Sequence, residues 1–109
     1  MSKFMLIYRA PKNALEQMAS ATPEQRAAAG EAWRVWATRV DYALTDLGAP
    51  LGHTSHVGAG QADRDGVCGY SILEAGSADE VGTLLEGHPQ LTVPGGSIEV
   101  LEVIPVPDL

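Results

Sequence analysis

Val67-Cys68-Gly69-Tyr70-Ser71-Ile72-Leu73-Glu74-Ala75 is the stretch that decides the fold. Read at period two, Cys68, Tyr70 and Ile72 share one side, and Gly69, Ser71 and Leu73 share the other. That alternation predicts a strand. Ser77-Ala78-Asp79-Glu80 follows at once. A serine with a glutamate three positions on predicts a capping box and the start of a helix. The helix is short: Val81, Leu84 and Leu85 face inward, and Gly87 ends it. His88-Pro89 opens a loop, and Gly95-Gly96 closes it. The last strand then runs from Ser97 to Ile104. Ile98, Val100 and Ile104 share one face, interrupted by Glu102, and Leu101 and Val103 share the other. Pro105 and Pro107 end the pairing.

Towards the N-terminus the same grammar repeats. Lys3 to Arg9 reads as a strand with apolar groups on both sides: Phe4, Leu6 and Tyr8 against Met5 and Ile7. Such a strand is central in its sheet. The chain leaves the sheet at Pro11, and the next element announces itself at Thr22-Pro23-Glu24-Gln25. A threonine N-cap, a proline at the first helical position and a glutamine able to close the box predict a long helix. Trp33, Trp36, Val40, Leu44 and Leu47 step by three and four along one stripe. Gly48 is the expected C-terminal cap, and Pro50 prevents re-entry. His53 to Gly60 is polar and glycine-rich, with strand character around Ser55 to Val57. It reads as a short or irregular edge strand, turned back by Asp65-Gly66.

The order is therefore strand, helix, strand, strand, helix, strand. This is an α+β chain with the ferredoxin-like βαββαβ arrangement, an antiparallel four-stranded sheet with two helices on one face. With 109 residues and 45% hydrophobic content, a single domain spanning residues 1–109 is expected. Two helices reach only one face of the sheet, yet the other face is apolar too. The expected cover is the same face of a second copy, a homodimer.

The formal net charge is −7, and every Lys and Arg lies at or before Arg64. From Asp65 onward the charged residues are all acidic. A nucleic-acid partner needs clustered positive charge, so none is expected. An anionic membrane surface is disfavoured on the same ground, and no run approaches the roughly 20 apolar residues of a membrane span. The single cysteine, Cys68, forms no intrachain disulfide. The N-terminal apolar run is too short for a secretion signal. The expected location is the cytoplasm.

The run Gly69-Tyr70-Ser71-Ile72-Leu73-Glu74-Ala75, the serine-capped helix, Gly87-His88-Pro89 and Gly95-Gly96-Ser97-Ile98-Glu99-Val100 together resemble the YCII-related family. Lys3-Phe4-Met5-Leu6-Ile7-Tyr8 and Leu47-Gly48-Ala49-Pro50-Leu51-Gly52 fit it too. The resemblance covers nearly the whole chain and implies a dimeric α+β barrel. Some members look like small cofactor-free enzymes, and one branch removes halide from chlorinated hydroxylated aromatics. Those members place a histidine on the first helix and an aspartate just after a Gly-Pro-type turn. Here the two positions fall near Trp36 or Ala37 and near Gly52 or His53, with neither residue present. Any chemistry needs other groups.

His53 and His56 are the candidates for it. Imidazole is the side chain whose ordinary pKa lies near neutrality, so it serves as both acid and base. The alternative is two solvated loop histidines. A metal site built from His53 and His56 with Cys68 or His88 lacks any recognised ligand spacing, and no metal is expected. Tyr8 and Arg9 end the first strand on opposite faces, so one of them enters the space between the sheet and its partner. Arg9 suits an anionic or oxyanionic ligand, or pairs with Glu99 or Glu102. Trp33 and Trp36 either fill the core or wall a pocket for an aromatic ligand, and Tyr70 joins the binding set from the third strand. His88, at a helix C-terminus, reads as a cation favoured by the helix dipole.

These residues point to a small-molecule-binding protein. Its enzymatic form is a cofactor-free lyase or isomerase acting on a hydroxylated or carbonyl compound. His53 and His56 would then move the proton, and Tyr8, Arg9, Trp33, Trp36 and Tyr70 would bind. The alternative is a non-catalytic dimeric ligand-binding or interaction module. A cofactor-free oxygenase of the dimeric-barrel type is a further alternative.

Overall fold

The computed structural model describes residues 1–60 and 66–107. Four strands form one antiparallel sheet: β1 (Ser2–Arg9), β2 (Leu44–Pro50), β3 (Val67–Ala75) and β4 (Ser97–Val103). Their order is β2-β3-β1-β4, which places β1 and β3 in the middle. Three helices lie among the described residues: α1 (Ala14–Ser20), α2 (Pro23–Arg39) and α3 (Ala78–Leu84). The architecture is the expected ferredoxin-like βαββαβ, with α1 added before the first crossover helix.

The helix side of the sheet is the core. Phe4, Leu6 and Tyr8 of β1 and Ser71, Leu73 and Ala75 of β3 are buried there, against Trp36 and Val40 from the α2 segment and Val81, Leu84 and Leu85 from α3. Trp36 ties the two helices together, its indole N–H donating to the Leu84 carbonyl at 3.0 Å. Arg39 adds donations to the carbonyls of Leu84 and Glu86. The other side of the sheet is open. Met5, Ile7, Tyr70 and Ile72 are only half-buried, and Leu101 and Val103 are exposed.

Several local expectations need correction. The long helix ends at Arg39, not at Gly48; a 3-10 turn (Asp41–Ala43) follows, and Leu44 begins β2. Leu44 and Leu47 continue the helical spacing by coincidence, because the sheet needs a second strand and the bulged register along β2 tolerates a stretch without alternation. Gly48 is therefore a strand residue. It sits at φ 78°, and a Cβ on it would come within 1.8 Å of the Tyr70 carbonyl oxygen. Only glycine lets β2 approach β3 so closely. The edge strand expected around Ser55 to Val57 is absent, since residues 51–57 carry no regular structure. Of the Asp65-Gly66 turn, Asp65 lies outside the described residues.

Two further differences concern alternation and capping. Register slips between Tyr8 and Arg9, so that Tyr8 pairs with Gly69 and Arg9 with Val67. The extra residue is Cys68, which leaves the alternation and turns its thiol towards the Tyr8 carbonyl oxygen at 3.3 Å. At α3, Ser77 accepts from the Glu80 N–H as expected, but the Glu80 carboxylate reaches back to the Gly76 N–H instead of Ser77. Asn13 and Glu16 form a full box at α1 that the sequence reading passed over.

Candidate functional site

One end of the sheet gathers the C-terminal ends of β1 and β2 and the N-terminal ends of β3 and β4. The Ala10 N–H donates to the Gly66 carbonyl there, and the Leu51 N–H donates to that of Cys68. Below this loop end, on the helix side, lies a group of buried polar side chains: Tyr8, Cys68, Ser71, His88 and Gln90.

His88 is the centre of the group and wholly inaccessible to solvent. Its Nδ1 accepts the Gln90 backbone N–H at 2.9 Å, which caps the 3-10 turn Pro89–Thr92. A backbone N–H can only donate, so Nδ1 carries no proton. Burial, with the Arg39 charge adding to it, pushes the His88 pKa down to about 4. The ring is therefore neutral and its one proton sits on Nε2. That N–H faces the Tyr8 hydroxyl at 3.3 Å. The Tyr8 hydroxyl then donates to Ser71 Oγ at 2.6 Å, and Ser71 donates to the Leu47 carbonyl at 2.5 Å. Every hydrogen in the chain has one direction, from His88 through Tyr8 and Ser71 to β2. The expectation of a charged His88 serving a helix dipole is overturned: desolvation outweighs the dipole, and the ring works as a neutral acceptor and donor.

Aromatic rings enclose the same group. Trp36 lies 4.3 Å from His88 between centroids, and Trp33 meets His88 edge-on at 4.7 Å and Tyr8 at 5.0 Å. Gly69, opposite Tyr8, makes this possible: a Cβ there would come 3.1 Å from Tyr8 Cδ2. Burial pushes the Tyr8 pKa up to about 12, against a smaller opposing effect of the Ser71 hydrogen bond. Desolvation raises that of Cys68 as well, with the hydrogen bonds from Gln90 and Gln17 opposing it. The group is thus a set of neutral donors. Gln90 completes it, its side-chain amide donating to the Arg9 carbonyl at 2.9 Å and meeting the Cys68 sulfur at 3.5 Å.

The structure brings together Tyr8, Trp33 and Trp36 from the expected binding set. Arg9 and Tyr70 lie across the sheet on the open face, where Arg9 pairs with Glu99 at 3.2 Å. His53 and His56 are exposed on the segment that leaves β2 at the loop end. Sequence reasoning missed His88, Ser71 and Gln90 as site residues. The one signal available was a histidine directly before Pro89, at the cap position of a turn. Among the described residues, no three of His, Cys, Asp and Glu come together as metal ligands would. No helix among them is long and apolar enough to cross a membrane. The surface grooves run along the exposed side of α2, between it and the turn after α3, and no member of the polar group lines them.

No known family model matches the chain, and no curated protein does. Among solved structures it is similar to the 5-chloro-2-hydroxyhydroquinone dehydrochlorinase of Burkholderia phenoliruptrix, determined in complex with 2,5-dihydroxybenzoquinone. The identity is 22%, the match covers 94% of this chain and 93% of that one, and the TM-score is 0.50. The likeness is one of fold.

Proposed function

We propose that this YCII-like chain binds a small hydroxylated or carbonyl compound at the loop end of its sheet, and moves a proton on it without a cofactor, as a lyase or isomerase. The observation that carries this reading is the neutral donor chain His88–Tyr8–Ser71, held beside Trp33 under the end of the sheet where His53 and His56 emerge. A phenolic hydroxyl fixed by a buried imidazole suits the oxygen of an enol or quinone when it turns from Ser71 Oγ to the ligand. Trp33, half-buried, offers a ring for an aromatic ligand to stack on. His53 and His56, which are exposed, supply the imidazoles that exchange protons with solvent. The fold neighbour binds a hydroxylated quinone, which supports the same substrate class here.

The working unit in this reading is a homodimer. The open face has an apolar middle of Met5, Ile7, Tyr70, Ile72 and Leu101, and a rim where Lys3 stands opposite Glu74 in register and Arg9 forms an ion pair with Glu99. A contiguous apolar patch rimmed by charges of both signs suits a self-complementary contact. Arg9 and Tyr70 would line the seam between copies.

The test is titration with 2,5-dihydroxybenzoquinone and related hydroxylated aromatics, read by tryptophan fluorescence. Saturable quenching that is lost in Trp33→Leu supports the site. Turnover of any ligand so found should vanish in the His53→Ala/His56→Ala double variant, and full activity there would remove the two histidines from the mechanism.

A second reading is a non-catalytic dimeric module. One observation favours it: Tyr8, Trp33, Trp36 and His88 pack ring against ring, and every hydrogen of the buried donor chain already has an acceptor. A dimer that binds none of the panel would support it.

A further inference from the structure

We propose that α1 is a lid over the loop end of the sheet: it opens as a unit while the sheet stays folded, uncovering the Cys68 side of the buried polar group.

Three observations meet here. First, α1 buries no residue, whereas α2 and α3 bury Trp36, Val81 and Leu84. Leu15 and Met18 are 45% and 46% exposed, so the helix has an apolar side that is only half used. Seven residues do not hold a helix by themselves in water.

Second, the hydrogen bonds that shape α1 are mostly its own. Asn13 and Glu16 close the capping box, the Gln17 amide donates to the Lys12 carbonyl at 2.7 Å, and the Ser20 hydroxyl donates to that of Glu16 at 3.0 Å. Opening by local unfolding therefore gives up these local bonds and little else. Its ties to the remainder of the described residues are few. Leu15 lies against Gly52, the Gln17 side chain comes near enough to the Cys68 thiol to offset part of its desolvation, and Arg26 of α2 donates to the carbonyls of Met18 and Ala21. Extended residues flank the helix, with Ala21 at φ −89° and ψ 143°. A segment with little burial and local hydrogen bonds opens at lower free energy than the core.

Third, what lies beneath is the polar group and not apolar core. Cys68 is 8% exposed under Gln17, and its sulfur meets the Gln90 amide, which in turn sits two residues from His88. Gly52, on which Leu15 rests, directly precedes His53. Opening would part the segment carrying both exposed histidines from the helix that leans on it. The purpose of such access rests on the binding reading above, but the motion does not.

Cys68 is the chain's one cysteine, so it reports the motion by itself. The experiment is thiol labelling of the intact protein with an aromatic disulfide reagent, without ligand or denaturant, beside the global unfolding rate followed by tryptophan fluorescence. Labelling that outpaces unfolding is expected. Asn13→Ala removes the cap and should speed labelling about five-fold, with labelling still outpacing global unfolding of the same variant. Gln17→Ala, which frees the hook on the thiol, should act in the same direction. Labelling at the global unfolding rate, or labelling indifferent to both substitutions, would overturn the lid. Both rates are read with no ligand present, so a failure of the binding titration leaves them standing, and a rigid α1 leaves the binding reading intact.

Discussion

His88 Nε2 lies 3.3 Å from the Tyr8 hydroxyl, across 80 positions of sequence, and neither group carries a charge. The contact joins the turn after α3 to the central strand β1. Through Ser71 it continues to β3 and the carbonyl of Leu47 in β2. One proton chain thus links three strands and a cap.

Stability should depend on pH through these two residues. The His88 pKa is about 4 in the fold against an ordinary 6.5, so below pH 6.5 the unfolded chain takes up a proton that the folded one refuses. The stabilisation is complete above pH 6.5 and is lost as pH falls towards 4, by on the order of 3 kcal/mol. For Tyr8 the shift is upward, from 10 to about 12, so its contribution is complete below pH 10 and fades between 10 and 12. Urea midpoints at pH 7, 5.5 and 4.5 check the acid limb. In His88→Gln the decline over this range should be shallower than in the wild type.

Tyr8→Phe should destabilise by roughly 1–3 kcal/mol, because it strips the His88 N–H of its acceptor and Ser71 of its donor while leaving the ring packing intact. Ser71→Ala breaks the same chain further along. Their effects should therefore fall short of adding up, and a double-mutant cycle on denaturation midpoints measures the shortfall. Strict additivity would mean that the hydroxyls act independently.

Gly48→Ala should detach β2 from β3. The positive φ alone costs a side chain about 1–3 kcal/mol. The Cβ would also meet the Tyr70 carbonyl oxygen at 1.8 Å, and a backbone atom cannot step aside as a side chain can. Faster amide exchange confined to Leu44–Pro50 and its β3 partners is the expected signature, together with a lower Tm.

On the open face, Ile72→Glu should leave the monomer folded and prevent self-association. Ile72 faces Met5 and points away from the helices, so the charge meets solvent in a monomer and a like charge or an apolar surface in a dimer. Sedimentation analysis beside circular dichroism decides the outcome. A variant that unfolds instead would place Ile72 in the core of the single chain.

How much of this was legible beforehand follows from the range of each interaction. β1, β3, β4 and the starts of α2 and α3 are written locally, in alternation along Phe4 to Tyr8 and Val67 to Ala75 and in the caps at Thr22 and Ser77. Steric and hydrogen-bond preferences over four or five residues suffice to read them. β2 was not legible. Leu44-Thr45-Asp46-Leu47-Gly48 continues a helical spacing and lacks alternation, and it becomes a strand only because β3 offers it a partner edge. Charge left Arg9 open between an anionic ligand, Glu99 and Glu102, and the fold pairs it with Glu99; the choice of sheet face was not legible, since both faces of β1 are apolar.

The sequence alone determined the strands β1, β3 and β4 and the starts of α2 and α3, because period, caps and breakers act between neighbours along the chain. Tertiary structure alone decided where the second strand runs, which face the helices cover, that His88 is a neutral buried link and not a surface cation, and that Tyr8 takes the core side while Arg9 takes the open one. Those outcomes depend on desolvation by residues tens of positions away. Water exclusion belongs to the packed assembly and to no segment within it.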